Sequence, residues 1–404
     1  MPSAPPDGEP VPADGALPEG ASAGIGTCPF GIYVHIPFCA TRCGYCDFNT
    51  YTADEPGGAG RDSYAGQAIA ELRLARRVAG GAGPVRTVFF GGGTPTLLAP
   101  SQLGAILHAI DGEFGLAPDA EVTTEANPES VDARSLAQLR QAGFTRISFG
   151  MQSAVPHVLA TLDRVHTPER PARCVGWARA AGFEHVSLDL IYGTPGESQA
   201  DWMRSVQAAA AAGPDHISAY ALIVEEGTRL AAQIRRGRLP APDDDAMADK
   251  YLAADDALAG AGLGWYELSN WAAGKAARCR HNELYWTGGN WWGIGPGSHS
   301  HIGGTRWWNV RHPRAYAARL AAGASPGQAR EVLTAGERRT EQIMLLTRLV
   351  SGCPADLLTA RGRAGADDAA DRGLADPAAL AAGRVILTPA GRLLADAVIR
   401  DLTE

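Results

Sequence analysis

Nothing in this chain of 404 residues approaches the uninterrupted apolar run of ~18 residues that a membrane-spanning helix requires. An excess of positive charge is also missing. The 36 basic residues stand against 44 acidic ones, a formal charge of −8, which argues against a protein that holds nucleic acid through its phosphates. The first 27 residues contain no Lys or Arg. A secretory signal needs a basic start, and a mitochondrial presequence needs arginines. Their Pro, Gly and Ala content reads as a disordered tail over 1–27 on a cytoplasmic protein. Cysteine is sparse, and an odd count of seven with no spread framework of pairs does not describe a disulfide-stapled fold. The stretch "GGGTPT" (91–96) lacks the Gly-Lys-Ser/Thr ending of a phosphate loop, so it does not read as a nucleoside triphosphate site.

What is present describes a globular protein, with 45% hydrophobic and 20% charged residues. The length suits one large domain and a smaller one. Strand-like runs recur at 31–36, 85–90, 120–126, 145–150, 185–193 and 216–224. Between them lie segments of helical length, near 62–79, 101–111, 130–142, 168–182 and 199–212, with a further helix near 244–261. This alternation predicts βαβ units around a parallel sheet, either a partial barrel or a doubly wound sheet. The candidate residues fall at strand ends: "GGGTPT", Glu125, Asn127, Gln152 and Asp189. Ligands gather at the carboxyl ends of strands in both architectures. The domain expected over 28–262 gives way to an aromatic-rich connector over 263–335, which holds seven of the nine tryptophans. Residues 336–404 read as a small, mostly helical, winged-helix-like domain. Its nearly balanced charge gives no support to DNA binding.

The densest chemistry lies in "HIPFCATRCGYCDFNTY" (35–51), where Cys39, Cys43 and Cys46 are spaced C-x3-C-x2-C. Three thiolates can fill three corners of a soft-metal site. Structural zinc takes four ligands, so a zinc site would have to recruit Cys28 or a histidine. A 4Fe–4S cluster with one open iron fits the spacing better and leaves a place for an exchangeable ligand.

With aromatic Tyr45 before the last cysteine, directly after the first strand, the motif resembles that of the radical S-adenosylmethionine superfamily. A closer resemblance covers nearly the whole chain after the tail, through "YVHIPFC", "GGGTPT", "TEANP", "RISFGMQS", "LDRVHT" and "DLIYGTPGES". These are similar to the anaerobic coproporphyrinogen III oxidase-like family. The resemblance implies an α/β fold: a (β/α)6 partial barrel of TIM type with a C-terminal helical domain. It implies that Cys39, Cys43 and Cys46 hold the 4Fe–4S cluster, and that S-adenosylmethionine chelates the fourth iron. An electron supplied by a donor would then cleave its sulfonium to a 5′-deoxyadenosyl radical. By the same matching, Tyr33, Gly92, Gly93, Thr94 and Glu125 meet this cofactor, with Ile294 a weaker match. Tyr45, Gln152, Arg164, Asp189 and Ala221 match positions around a second S-adenosylmethionine. No residue is assigned a catalytic role.

Two features divide the family. The oxidase branch tends to carry another cysteine two residues after the third, where this chain has Phe48. The heme-chaperone branch, HemW, has phenylalanine there and carries H-N-x-x-Y-W, present here as "HNELYW" from His281 to Trp286. The resemblance to that branch implies heme as a ligand and heme-acceptor proteins as partners. Heme needs an aromatic pocket and an axial ligand, so His281 is expected to contact it. The plainer reading makes the motif a rigid aromatic connector with His281 merely hydrogen-bonded. Cys-Arg-His at 279–281 is not the spacing of covalent c-type attachment. The alternative function is that of an oxygen-independent coproporphyrinogen III oxidase, decarboxylating propionates through the radical.

Overall fold

The structure, a computed structural model, describes residues 7–22, 24–26, 28–52 and 60–404. Among these residues, thirteen strands form one sheet. They are β1 (Glu9–Pro10), β2 (Phe30–Ile36), β3 (Val85–Gly92), β4 (Leu116–Ala126), β5 (Arg146–Gln152), β6 (His185–Tyr192), β7 (His216–Ala221), β8 (Gly264–Glu267), β9 (Asn270–Ala272), β10 (Asn290–Ile294), β11 (His299–Ile302), β12 (Thr305–Asn309) and β13 (Gly327–Val332). Their order is β1-β13-β12-β11-β10-β2-β3-β4-β5-β6-β7-β9-β8. Strands β2 to β7 are the six runs expected from the sequence, and every neighbouring pair among them is parallel. Helices Arg61–Val78, Pro100–Phe114, Ala133–Gln141, Arg170–Ala181 and Gln199–Ala211 connect them. This is the (β/α)6 arrangement.

The physical cause is legible in β2. Ile32, Val34 and Ile36 point outward and are fully buried beneath helices. Gly31, Tyr33 and His35 alternate with them on the opposite face, toward the lumen. Helix starts are set by side-chain caps: Asp132 accepts from the Ser135 N–H, Ser198 from Asp201 and Asp243 from Ala246.

Two expectations need correction. The segment 7–22 is not a disordered tail. Strand β1 pairs antiparallel with β13, the Ser325 N–H donates to the Ala13 carbonyl at 2.7 Å, and Arg330 donates to the Ala16 carbonyl at 3.1 Å. Residues too polar to build their own core are ordered here by the free edge of a sheet that already exists. Nor do residues 263–335 only connect. Strands β8 and β9 extend the sheet beyond β7, and β10 to β13 extend it beyond β2, with β10 parallel to β2. Many of the tryptophans are strand residues: Trp292 and Trp307 are buried and meet edge to face, their ring centroids 4.9 Å apart.

The C-terminal residues have their own core, including Ile343, Leu358, Val385, Val398 and Leu402, with a two-stranded ribbon of β14 (Cys353–Pro354) and β15 (Arg384–Val385). Arg392 joins this unit to the barrel. It donates to Asp255 at 2.7 Å and lies over the Trp265 ring at 4.4 Å.

Glu71, on the helix Arg61–Val78, organises the junction of β10 with β12. Its carboxylate accepts from the Gly295 N–H at 2.7 Å, Asn309 Nδ2 at 2.6 Å and the Tyr316 hydroxyl at 2.6 Å. Burial pushes its carboxyl up to about 7 in spite of these donors. The folded value lies above the unfolded one, so its contribution to stability is complete below the unfolded pKa and is lost as pH rises through 7. That amounts to about 3 kcal/mol. Denaturant titrations of wild type and Glu71→Gln between pH 5 and pH 9 should therefore converge, or cross in favour of the variant, on the alkaline side. A stability difference independent of pH would show that Glu71 is ionised throughout.

Candidate functional site

The carboxyl ends of β2 to β7 open on one side, and the cysteine loop lies across that mouth. Both ends of the loop are fastened. The Cys39 N–H donates to the Tyr51 carbonyl at 3.0 Å and the Tyr51 N–H to the Pro37 carbonyl at 2.7 Å. Asn49 Nδ2 donates to the carbonyls of Pro296 at 3.0 Å and Arg311 at 2.8 Å, beyond the end of β10. The "GGGTPT" turn runs directly beneath: the Gly93 N–H donates to the Ile36 carbonyl and the Thr94 N–H to the Phe38 carbonyl, both at 2.8 Å. A Cβ on Gly93 would lie 2.5 Å from the Phe38 carbonyl oxygen. Glycine is required there because backbone meets backbone. Gly93→Ala should cost about 1–3 kcal/mol and lower the iron retained after reconstitution; wild-type stability and iron content would mean the loop does not depend on this approach.

Cys39, Cys43 and Cys46 are all partly buried on this loop. Burial pushes the Cys46 thiol up to about 11 against a backbone hydrogen bond at Phe48 that lowers it, and Cys39 and Cys43 are among the neighbours that raise it. Burial raises Cys39 too, against hydrogen bonds with the hydroxyls of Thr50 and Thr94. The three sulfurs are thus within electrostatic reach of each other, and a bound cation would offset the burial that disfavours thiolate at Cys39 and Cys46; this is the donor set an iron–sulfur cluster uses. A four-iron cluster asks each thiolate to reach a different iron. The thiols need not converge on one point, and among the described residues no three His, Cys, Asp or Glu side chains do.

Below the loop, the lumen holds the other expected residues. The Tyr33 hydroxyl meets His35 Nδ1 at 3.0 Å, and His35 Nε2 meets the Asn49 carbonyl at 2.9 Å. A carbonyl can only accept, so Nε2 carries the proton and Nδ1 accepts from Tyr33. Burial lowers the His35 pKa to about 4 and keeps the ring neutral. His35 therefore ties Tyr33 to the cysteine loop, a positioning role missed in the sequence. The signal was its place two residues after Tyr33, on the same face of β2.

Glu125 and Asp189 both point into the lumen. Burial, then the charge of Asp189, raises Glu125 to about 8, while its Oε2 accepts from the Gly92 N–H at 3.1 Å. Burial also raises Asp189, which accepts from the Ser148 hydroxyl at 2.9 Å. Two enclosed carboxylates that repel one another suit a cationic or hydroxyl-bearing ligand between them. Arg164 reaches Asn127 Oδ1 at 2.5 Å, the Gly150 carbonyl at 2.8 Å and Cys43 Sγ at 3.8 Å. Gln152 has φ 61°, a left-handed conformation that is costly for a residue with a Cβ and is found at ligand sites. Tyr45 packs on the apolar group of Val155, Val158, Leu162, Leu222 and Leu230. Ala221 closes β7 opposite Tyr192. Ile294 differs in direction: its side chain is buried in the core beside Val34, so any ligand contact would use its main chain.

The structure separates His281 from this group. The helix Arg280–Trp286 closes the opposite end of the barrel, by the amino ends of the strands. Glu121 accepts there from the N–H groups of Arg280 at 3.1 Å and His281 at 3.0 Å. The buried His281 ring stacks on Phe89 at 5.3 Å, its Nδ1 meets the Thr87 hydroxyl at 2.9 Å and its Nε2 meets the Tyr285 hydroxyl at 2.8 Å. Both ring nitrogens have protein partners, and burial lowers its pKa to about 3. The motif forms a floor for the barrel, with His281 hydrogen-bonded there on both ring nitrogens.

Comparisons with known proteins agree with this architecture. The sequence model of the Radical SAM superfamily matches residues 33–209. The chain is 53% identical over 374 residues to the heme chaperone HemW of Mycobacterium tuberculosis, covering 93% of this chain and 95% of that one. It is 35% identical to the heme chaperone HemW of Escherichia coli over 71% of this chain and 75% of the relative. The solved structure of coproporphyrinogen III oxidase (HemN) from Escherichia coli, a radical SAM enzyme, superposes with a TM-score of 0.80 at 22% identity, covering 95% of this chain and 92% of that one.

Proposed function

The chain belongs to the HemW family of the radical S-adenosylmethionine superfamily, and we propose from that membership that it is a heme chaperone, binding heme and transferring it to acceptor proteins. The observation that carries the reading is the mouth of the barrel. There a loop of three thiols sits over two lumen carboxylates and a glycine-rich turn, while Phe48 stands where a further cysteine would mark the oxidase. Cys39, Cys43 and Cys46 would hold a 4Fe–4S cluster. Gly92, Gly93, Thr94, Glu125 and Tyr33 would receive S-adenosylmethionine, and Tyr45, Gln152, Arg164, Asp189 and Ala221 would line the space for a second molecule. When bound, the cluster supplies an electron that can cleave the sulfonium.

This chain's own residues do the rest. Glu125 holds the Gly92 N–H and offers a carboxylate to the cofactor's cationic or ribose groups. His35 fixes Tyr33 against the loop. Arg164 spans β5 and Cys43. Among the described residues no helix is long and apolar enough to cross a membrane, and cytoplasmic action is part of the proposal.

The experiment that separates carrying a porphyrin from making one is anaerobic reconstitution followed by two assays. Hemin titration should give a saturable Soret change near one equivalent. Coproporphyrinogen III should be recovered unchanged. Its conversion to protoporphyrinogen would overturn the chaperone reading in favour of the oxidase.

A further inference from the structure

Both nitrogens of His281 are engaged at the barrel floor, whereas the mouth of the barrel carries apolar side chains open to solvent. Among the described residues, eight large hydrophobic side chains are exposed, and four of them, Phe48, Val165, Tyr220 and Ile223, belong to segments at the carboxyl ends of the barrel strands. Single exposed apolar residues need no explanation. These segments, however, are laced together. The Leu230 N–H donates to the Gly44 carbonyl at 2.8 Å, Arg229 pairs with Asp163, and Arg164 reaches Cys43 Sγ at 3.8 Å. Tyr45 packs in the same apolar group as Leu222 and Leu230. Phe48, Val165 and Ile223 therefore sit on three adjoining loops, at 62%, 81% and 63% exposure. Tyr220 stands at the adjacent end of β7.

We propose that heme docks on this rim, with a porphyrin face against Phe48, Val165 and Ile223 and its propionates toward Arg42 and Arg229. The placement rests on the heme-chaperone reading above. The rim matches the ligand in two respects. Its apolar side chains are one aromatic and two β-branched residues, suited to a flat hydrocarbon surface. Its flanking cations are guanidiniums on the same segments, exposed in both cases, and guanidinium matches carboxylate geometry. Glu225 and Glu226 follow Ile223 and would repel propionates, which turns the carboxylates toward the cysteine loop. Bound this way, heme lies beside the cluster loop and remains open to an approaching acceptor.

The test uses the full chain with its cluster reconstituted and titrates hemin anaerobically. Phe48→Ser/Ile223→Ser and, independently of the cysteine loop, Val165→Ser/Ile223→Ser should each weaken hemin binding at least tenfold, about 1.4 kcal/mol. Melting temperature and iron content should stay those of wild type, because the side chains removed are exposed. Val332→Ser, an exposed apolar residue on β13, should bind as wild type does. Arg42→Glu should weaken hemin more than it weakens the dimethyl ester of the same porphyrin. Wild-type affinity in either rim variant overturns the placement and leaves the chaperone reading standing. A wild-type protein that does not bind hemin overturns both.

Discussion

Cys43→Ala is expected to remove the visible absorbance of the reconstituted cluster completely, and with it at least tenfold of the affinity for S-adenosylmethionine. Two thiolates would remain, and no other cysteine can replace the third. Cys174 is buried in the helix Arg170–Ala181, Cys279 lies against Glu121 at the barrel floor, and Cys353 is in the C-terminal ribbon. Cys28 is exposed but precedes β2, at the far end of the strand from the loop. The fold itself should be little affected, within about 0.5 kcal/mol, because Cys43 is only partly buried and the loop is fastened by its backbone. Iron analysis and denaturant titration on the same sample check both halves. A full cluster in the variant would mean that a different set of ligands holds it.

The second large effect is on stability. His281→Ala removes two hydrogen bonds and a stacked ring from a fully enclosed site, and it leaves the hydroxyls of Thr87 and Tyr285 without their partner. Cavity and orphaned polar groups together should cost about 2–4 kcal/mol. Hemin affinity of the folded variant should be unchanged within about twofold, the scatter of such measurements at under 0.5 kcal/mol. The opposite pattern, intact stability with lost heme affinity, would restore His281 as a heme ligand and refute the floor.

Much of the barrel was legible because its strands are buried on both faces and read as near-continuous apolar runs, such as "FGIYVHI" and "HVSLDLIY". The cysteine loop was legible as a candidate cluster site because three thiols within one loop are a local pattern. The remainder depends on non-local pairing. Strand β10 reads as an aromatic patch until it is seen parallel to β2, and β1 has no signal of its own apart from the edge of β13. The side of the barrel on which "HNELYW" lies depends on where Glu121 captures the start of its helix, and no spacing within the motif encodes that. Its tryptophan-rich surroundings suggested a pocket, whereas those side chains fill sheet and floor.

The position of β10 also orders events during synthesis. Strand β2 launches the cysteine loop, yet one of its two neighbours, Asn290–Ile294, is made some 260 residues later, and Asn49 waits for the carbonyls of Pro296 and Arg311. At ribosomal rates of roughly 5–20 residues per second, the thiols spend more than ten seconds on an incomplete edge. Iron delivery is therefore expected to be essentially post-translational, and a nascent chain stalled before residue 290 should emerge without a retained cluster.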